Sequence, residues 1–510
     1  MSVTDPSTAP DPVRDPVTNR RLDHRLTYAL LGLGVFVVLV VYVVWQTYPN
    51  YDTYYTLVWG KELANGHLPD YDVFRTPTPH PLSTLVAWVM APFGTASDRI
   101  LVLLSLFGLL GFYVVTFVFT ERLLGRVIAL LAVAVMVTRT DMQLLALRAM
   151  FDLPFYLMIF GAALLELRRP RCGWPVLLVL ALAGLLRPEA WLLAGVYWLY
   201  VAPTTPRPLL IRYALLVAAA PVLWLLADLI VTGEPLYSFT STREVSGEFG
   251  RNRGVGDAIR SIPNFLGGND RIVTVGIGGL GLLVALYILR RRALLPLALG
   301  GLGLLTFLII AAGGLSVIPR YLTIPSLLLS LCVAVALGGW RLIAEPTARK
   351  VAIGIAIFSA LVLAWRAPYY VRDYQKLADQ ATFIEAQHKG LKGILNAPNA
   401  VPALQGCHPI TVPTHSAIPI IRYETGLPKE AVEASIGQRR RPTQGVLLIG
   451  DTFNFEPSAA RATNSNPSTS ARKRWSNKVL PGFERLARRK PWTAYARCLA
   501  PLATGWRLRR

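Results

Sequence analysis

Charge is scarce in this chain. Only 16% of its 510 residues are Asp, Glu, Lys or Arg, against 53% hydrophobic residues and a mean hydropathy of +0.44. A soluble protein of this length needs more polar surface, so the shortage excludes a string of soluble domains. Cysteine is sparse as well, four in all, and none falls in a zinc-finger spacing. RNA-binding signatures and basic helices with heptads are also missing, so the net charge of +22 does not point to nucleic acid as a partner. No soluble nucleotide-binding module is visible. GIGGLG at 276–281 matches G-x-G-x-x-G by letter, but it lies in an apolar run with no strand before it. It reads as close helix packing, as does GGLG at 300–303. There is no internal repeat.

What the chain does have is apolar runs of about 18 to 22 residues, enough to cross a hydrocarbon core of roughly 30 Å as helices. The expected fold class is an α-helical polytopic membrane protein of about eleven transmembrane helices. After LTYALLGLGVFVVLVVYVVW (26–45), spans are expected near 99–120, 127–139, 152–167, 174–187, 188–202, 211–231, 272–289, 293–312, 320–340 and 350–365. PHPLSTLVAWVMAPFG (79–94) is apolar but short, and reads as a helix in the outer interface within a large first outer loop. Residues 1–25, rich in Pro, Asp, Thr and Arg, read as a disordered cytoplasmic tail. Arg20, Arg21 and Arg25 place that end inside. The inner loops that follow, ERLLGR, ELRRPRCGW, PTTPRPLLIR, LRRRA and WRLIAEPTARK, are all basic, as the positive-inside rule requires.

This count divides the chain into the tail (1–25), a transmembrane module (26–366) and an extracytoplasmic region (367–510). In that last region HPITVP, GVLLIGD and WTAYARC look like strands, with HSAIPIIRYETG as a helix between the first two. ARATNSNPSTSARKRW reads as a loop, and the alternation predicts a small α/β domain. An oxidising exterior permits a bridge between Cys407 and Cys498.

Charged side chains in or beside spans are expensive and usually functional. On this topology they gather at one outer level: Asp52 after the first span, Arg148 and Asp152 before the fourth, Arg187 and Glu189 at a hairpin tip. Asp228 ends the seventh span and Arg320 opens the tenth. The common depth predicts a site. Each residue also has a plainer role open to it. Asp52 could cap TYYTLVWGKELANG, with the neighbouring tyrosines as an interfacial belt, and Arg320 could snorkel to head groups. The first outer loop adds Asp70, Asp72, Arg75 and His80 among prolines, with His80 in a positioning role. Asp70 and Asp72 share a face on an extended segment, but two carboxylates do not make a metal site. GEPLYSFTSTREVSGEFGRNRG (233–254) is expected to cover part of the site.

The arrangement resembles the GT-C superfamily of integral-membrane glycosyltransferases, which includes protein O-mannosyltransferases, aminoarabinose transferases and actinobacterial mannosyl- and arabinosyltransferases. The resemblance spans about residues 26–366. It rests on NYDTYYTLVWGKELANGHLPDYD, PTPHPLS, LLRPE, GEPLYS and PRYLTIP, the last two adding Tyr237 and Tyr321 to the substrate-binding candidates. It implies Asp52 as general base, a polyprenyl-phosphate-linked sugar as donor, and a cell-envelope glycan, lipid or protein as acceptor. Thr53 follows Asp52 where several members carry a second acid, so the resemblance implies no metal held by such a pair. No cofactor is assigned, and a divalent cation is left open.

The chemistry suits the residues. A shielded carboxylate can take the proton of an acceptor hydroxyl, and a guanidinium can bind the departing phosphate, with Arg320 the first candidate and Arg187 the second. A single displacement inverts the anomeric centre. The rival reading is a lipid or sugar transporter or flippase. That class needs polar groups near mid-bilayer and often a repeat.

Overall fold

The computed structural model describes residues 24–248, 250–268, 270–437, 441–451 and 478–498. The expected tail lies outside them except for its last two residues, and the expected loop at 460–475 lies outside them entirely. In hydrocarbon every backbone polar group must be satisfied within its own segment, so the apolar runs become helices. In chain order these are α1 (His24–Val44), α2 (Tyr51–Ala64), α3 (Pro81–Met90), α4 (Ser97–Leu124), α5 (Arg126–Val137) and α6 (Thr140–Leu147). Next come α7 (Asp152–Arg168), α8 (Trp174–Leu186), α9 (Glu189–Val201), α10 (Arg207–Thr232), α11 (Tyr237–Glu248) and α12 (Val255–Leu266). Then follow α13 (Gly278–Leu289), α14 (Leu294–Ala312), α15 (Thr323–Gly338) and α16 (Pro346–Leu395).

Among the described residues five helical segments are long and apolar enough to cross a membrane, and six if the pair α5–α6, bent by 64°, counts as one. Each of the expected spans is helical. The count of eleven crossings does not follow, however, because α5, α7, α8 and α9 have only 12, 17, 13 and 13 residues. A straight crossing takes about 20 residues. Leu215, Ile230, Leu361 and Trp365 are among the exposed apolar side chains on α10 and α16, as lipid-facing surfaces require. The chain is a multi-pass membrane protein.

The glycine runs do the packing expected of them. A Cβ on Gly281 would lie 1.8 Å from the Cys332 carbonyl oxygen, and one on Gly278 would lie 2.6 Å from that of Leu329. α13 and α15 therefore meet backbone to backbone. Gly281→Ala should force them apart and cost at least about 1–3 kcal/mol. Gly279, with nothing within 4 Å of a built Cβ, is the matched control. Thermal unfolding of the two variants in detergent checks this, and equal melting temperatures would argue against the contact.

α16 runs for 50 residues. Its first part carries the expected span, while Leu377, Ile384, Leu391 and Ile394 near its other end are buried, and the Gln387 carbonyl there accepts from Trp492 of the C-terminal domain. The expected boundary at 366/367 thus falls inside one helix. The domain follows with α17 (Val401–Gly406), α18 (Ile418–Thr425) and a five-stranded sheet: β1 (Ile410–Val412), β2 (Val432–Ala434), β3 (Gly445–Gly450), β4 (Glu484–Arg489) and β5 (Trp492–Arg497). The order is β2-β1-β3-β5-β4, with β1 parallel to both β2 and β3, and β5 antiparallel to β3 and β4. The three expected strands and the helix between the first two are present. β2 and β4 are additions: β2 is only three residues long, and the polar edge strand ERLARR shows no apolar alternation. The Cys407–Cys498 disulfide is formed, with Cα atoms 5.8 Å apart.

Candidate active site

α2 places the first-loop carboxylate. Its N-cap is Asn50, whose Oδ1 accepts from the Thr53 amide at 3.1 Å. The capping role considered for Asp52 therefore belongs to Asn50. Nor do the tyrosines form an interfacial belt. Tyr54 and Tyr55 are fully buried, and Tyr48 and Tyr54 stack on His388 of α16 with ring centroids 4.5 and 5.5 Å away. The aromatic run is core, and it seats α2 in the molecule.

Asp52 faces Arg320, with Oδ2 3.9 Å from Nη1. Arg320 lies in the short turn Pro319–Leu322 that opens α15, and its carbonyl accepts from the Tyr156 hydroxyl at 3.0 Å. Beside it is a buried triad. Arg187 donates through Nη1 to Asp152 Oδ1 and through Nε to Glu189 Oε1 at 2.9 Å. Two carboxylates balance that guanidinium, whereas Arg320 faces Asp52 across 3.9 Å. The Tyr321 ring lies near both cations, 5.2 Å from Arg187 Cζ and 5.7 Å from Arg320 Cζ.

Two adjoining cavities share Asn50, Asp52, Thr78, His80, Arg320 and Tyr321. One, of about 240 Å³, extends over apolar walls that include Trp191, Trp224, Leu225, Leu236, Phe239 and Ile310, and reaches Asp152, Arg187 and Glu189. The other, of about 420 Å³, runs toward Tyr51, Thr76, Ser246, Arg251 and Ser316. Asp52 and Arg320 sit at the seam. Around it, Arg320 Nε, Glu189 Oε2 and His80 Nδ1 are buried without a hydrogen-bond partner among the described residues. Buried polar atoms are normally paired, so three orphans on one cavity mark a place for a polar ligand. Burial, reinforced by the charges of Arg187 and Arg320, pushes the His80 imidazole down to about 3. His80 is thus neutral near pH 7.

The cavities therefore gather Asp52, His80, Asp152, Arg187, Glu189, Asp228, Arg320 and Tyr321. Asp228 has structural work there: it accepts from the Ser238 amide and hydroxyl, both at 2.8 Å, and so ties α11 to α10. Five candidates lie elsewhere. Asp70 pairs with Arg422 and Lys429, Arg75 with Glu248, and Asp72 lines a separate depression with Lys429 and Glu433. The buried Arg148 accepts from Asn50 N through its carbonyl, and Tyr237 donates to the Tyr71 carbonyl. The aromatic wall of Trp191 and Trp224 and the basic Arg251 were not foreseen. Arg251 belongs to the expected cover loop, but no local motif distinguishes it from Arg243 or Arg253. Among the described residues no group of three or more His, Cys, Asp or Glu is placed to hold a metal.

No protein-family model matches the chain, and no curated protein matches it. Among solved structures it is similar to the crystal structure of ArnT from Cupriavidus metallidurans in the apo state. The identity is 16%, over 92% of this chain and 98% of that one, at a TM-score of 0.47.

Proposed function

We propose that the protein is a membrane glycosyltransferase that moves a sugar from a polyprenyl-phosphate donor to a hydroxyl of a cell-envelope acceptor, with inversion and with Asp52 as general base. The observation that carries this reading is the position of Asp52 and Arg320 at the seam between an apolar cavity and a more polar one. The apolar cavity suits the isoprenoid end of the donor, with its phosphate beside Arg320 and the sugar toward Glu189 and His80. The polar cavity suits the acceptor. Its hydroxyl gives its proton to Asp52 as the oxygen attacks the anomeric carbon, and the sugar–phosphate bond breaks on the opposite side. The leaving polyprenyl phosphate gains negative charge, which the Arg320 guanidinium meets. The reaction belongs on the outer face, with the N-terminus cytoplasmic and the C-terminal domain exported. The Cys407–Cys498 disulfide supports that side for the domain, since such bonds persist in oxidising compartments.

The test is incubation of the purified protein with a panel of polyprenyl-phosphate sugars, in the presence of envelope lipids and glycans. Release of lipid phosphate from at least one donor is expected. Movement of an intact lipid-linked sugar across proteoliposomes, with no release from any donor, would favour the transporter.

A further inference from the structure

The helix that carries Asp52 is gripped by the C-terminal domain. At its far end Arg422 of α18 donates through Nη2 to Glu62 Oε1 at 2.8 Å and to Asp70 Oδ2 at 2.9 Å. Arg422 is only 3% exposed, so the guanidinium is buried against both carboxylates. The same knot is closed within the first loop: the Asp70 amide donates to Glu62 Oε2 at 2.9 Å, and Trp59 Nε1 donates to the Asp70 carbonyl at 3.0 Å. Lys61 Nζ donates to the Tyr423 carbonyl at 2.9 Å and lies over that ring. At the near end His415 meets Tyr51 edge-on, with centroids 5.4 Å apart, and Tyr51 lines the polar cavity beside Asp52. Between the two ends the Tyr54 hydroxyl donates to Asp98 Oδ2, and Lys392 Nζ joins Asp98 to Glu424, each at 2.9 Å.

Four of these residues, His415, Arg422, Tyr423 and Glu424, come from one short stretch of the domain. Neither Arg422 nor His415 lines the cavities at Asp52. Buried ion pairs are a poor source of net stability but can fix one arrangement against others. The arrangement at stake here is that of a base. A misplacement of about 1 Å can cost a reaction about 100-fold. We propose that the C-terminal domain is the positioning element for Asp52, with Arg422 as the principal positioning residue and His415 as the second. The proposal rests on the reading of Asp52 as the base.

The experiment uses the full-length protein in lipid nanodiscs and compares Arg422→Met, Arg422→Lys and His415→Ala with the wild type. Arg422→Met should raise amide hydrogen exchange in residues 51–64 while the β-sheet keeps its protection. It should also lower kcat by about 100-fold with little change in donor KM, the split expected when geometry at the reacting atoms is lost. Arg422→Lys, whose ammonium can serve both carboxylates, should recover most of the activity. His415→Ala should lower kcat by about tenfold, again at constant KM, as loss of one ring contact that orients Tyr51. Unchanged exchange at 51–64 in Arg422→Met overturns the proposal. So does a loss of sheet protection equal to that in α2, or a Lys variant as poor as Met. Should Arg422→Met not fold, His415→Ala decides, and an unchanged kcat there overturns the proposal. If the wild type transfers no sugar from any donor, the transferase reading fails, and the exchange pattern alone decides whether the domain clamps α2.

Discussion

Asp52→Asn should leave a protein that inserts, folds and binds donor, yet transfers sugar about 10²–10⁴ times more slowly. The amide keeps the size and polarity of the carboxylate but cannot take a proton. Folding should be spared because Asn50, not Asp52, caps α2, and because the helix is seated by buried rings rather than by this side chain. One basic partner is Arg320, with 3.9 Å between Oδ2 and Nη1. Losing that contact should cost little, since charges at that separation interact weakly where solvent reaches them, and the Asp52 side chain is 19% exposed. The measurement is initial rate against donor concentration, with donor binding followed separately. A variant that turns over at the wild-type rate would remove Asp52 from the chemistry, and one that cannot bind donor would move it to recognition.

Arg320→Ala should act on the other half of the reaction. Its Nε is buried without a hydrogen-bond partner among the described residues, on a cavity that also holds Glu189 Oε2 in the same condition. A charge-assisted bond to phosphate is worth about 1.5–3 kcal/mol, so kcat/KM for donor should fall at least about 10- to 100-fold. Part of that loss should appear in kcat, because the phosphate gains charge as the sugar leaves. Arg320→Lys should recover little of the loss, since an ammonium keeps the charge but not the planar fork. Unchanged donor kinetics in the alanine variant would return Arg320 to a snorkelling role. Arg187 cannot serve for this comparison. Its removal would leave Asp152 and Glu189 buried without their cation, and folding would suffer before catalysis could be read.

Much of this was legible in the sequence because membranes restrict what a chain can do. Runs such as LTYALLGLGVFVVLVVYVVW have no alternative to helix, and charges at helix ends had to find either one another or a ligand. Asp52, Asp152, Arg187, Glu189 and Arg320 do lie together, as their common depth implied. Depth is only one coordinate, however. It does not tell which side of a helix a residue occupies, so Arg148 at the same level turned inward to a different neighbourhood. Asp70 and Arg75 looked equivalent to His80 within one polar loop, yet their partners, Arg422 and Glu248, stand about 350 and 170 residues away in sequence. Arg422 itself carried no signal in RYETG. Only the docking of the sheet domain onto α2 gives it a role.

The length of α16 has one more result. Fifty residues at about 1.5 Å each make a rod of roughly 75 Å, of which a bilayer core takes up roughly 30 Å. The length beyond a span packs on α6 through Tyr374 and carries the sheet near its far end, where Trp492 of β5 donates to the Gln387 carbonyl. A domain carried on one continuous helix in this way does not hang from a hinge loop.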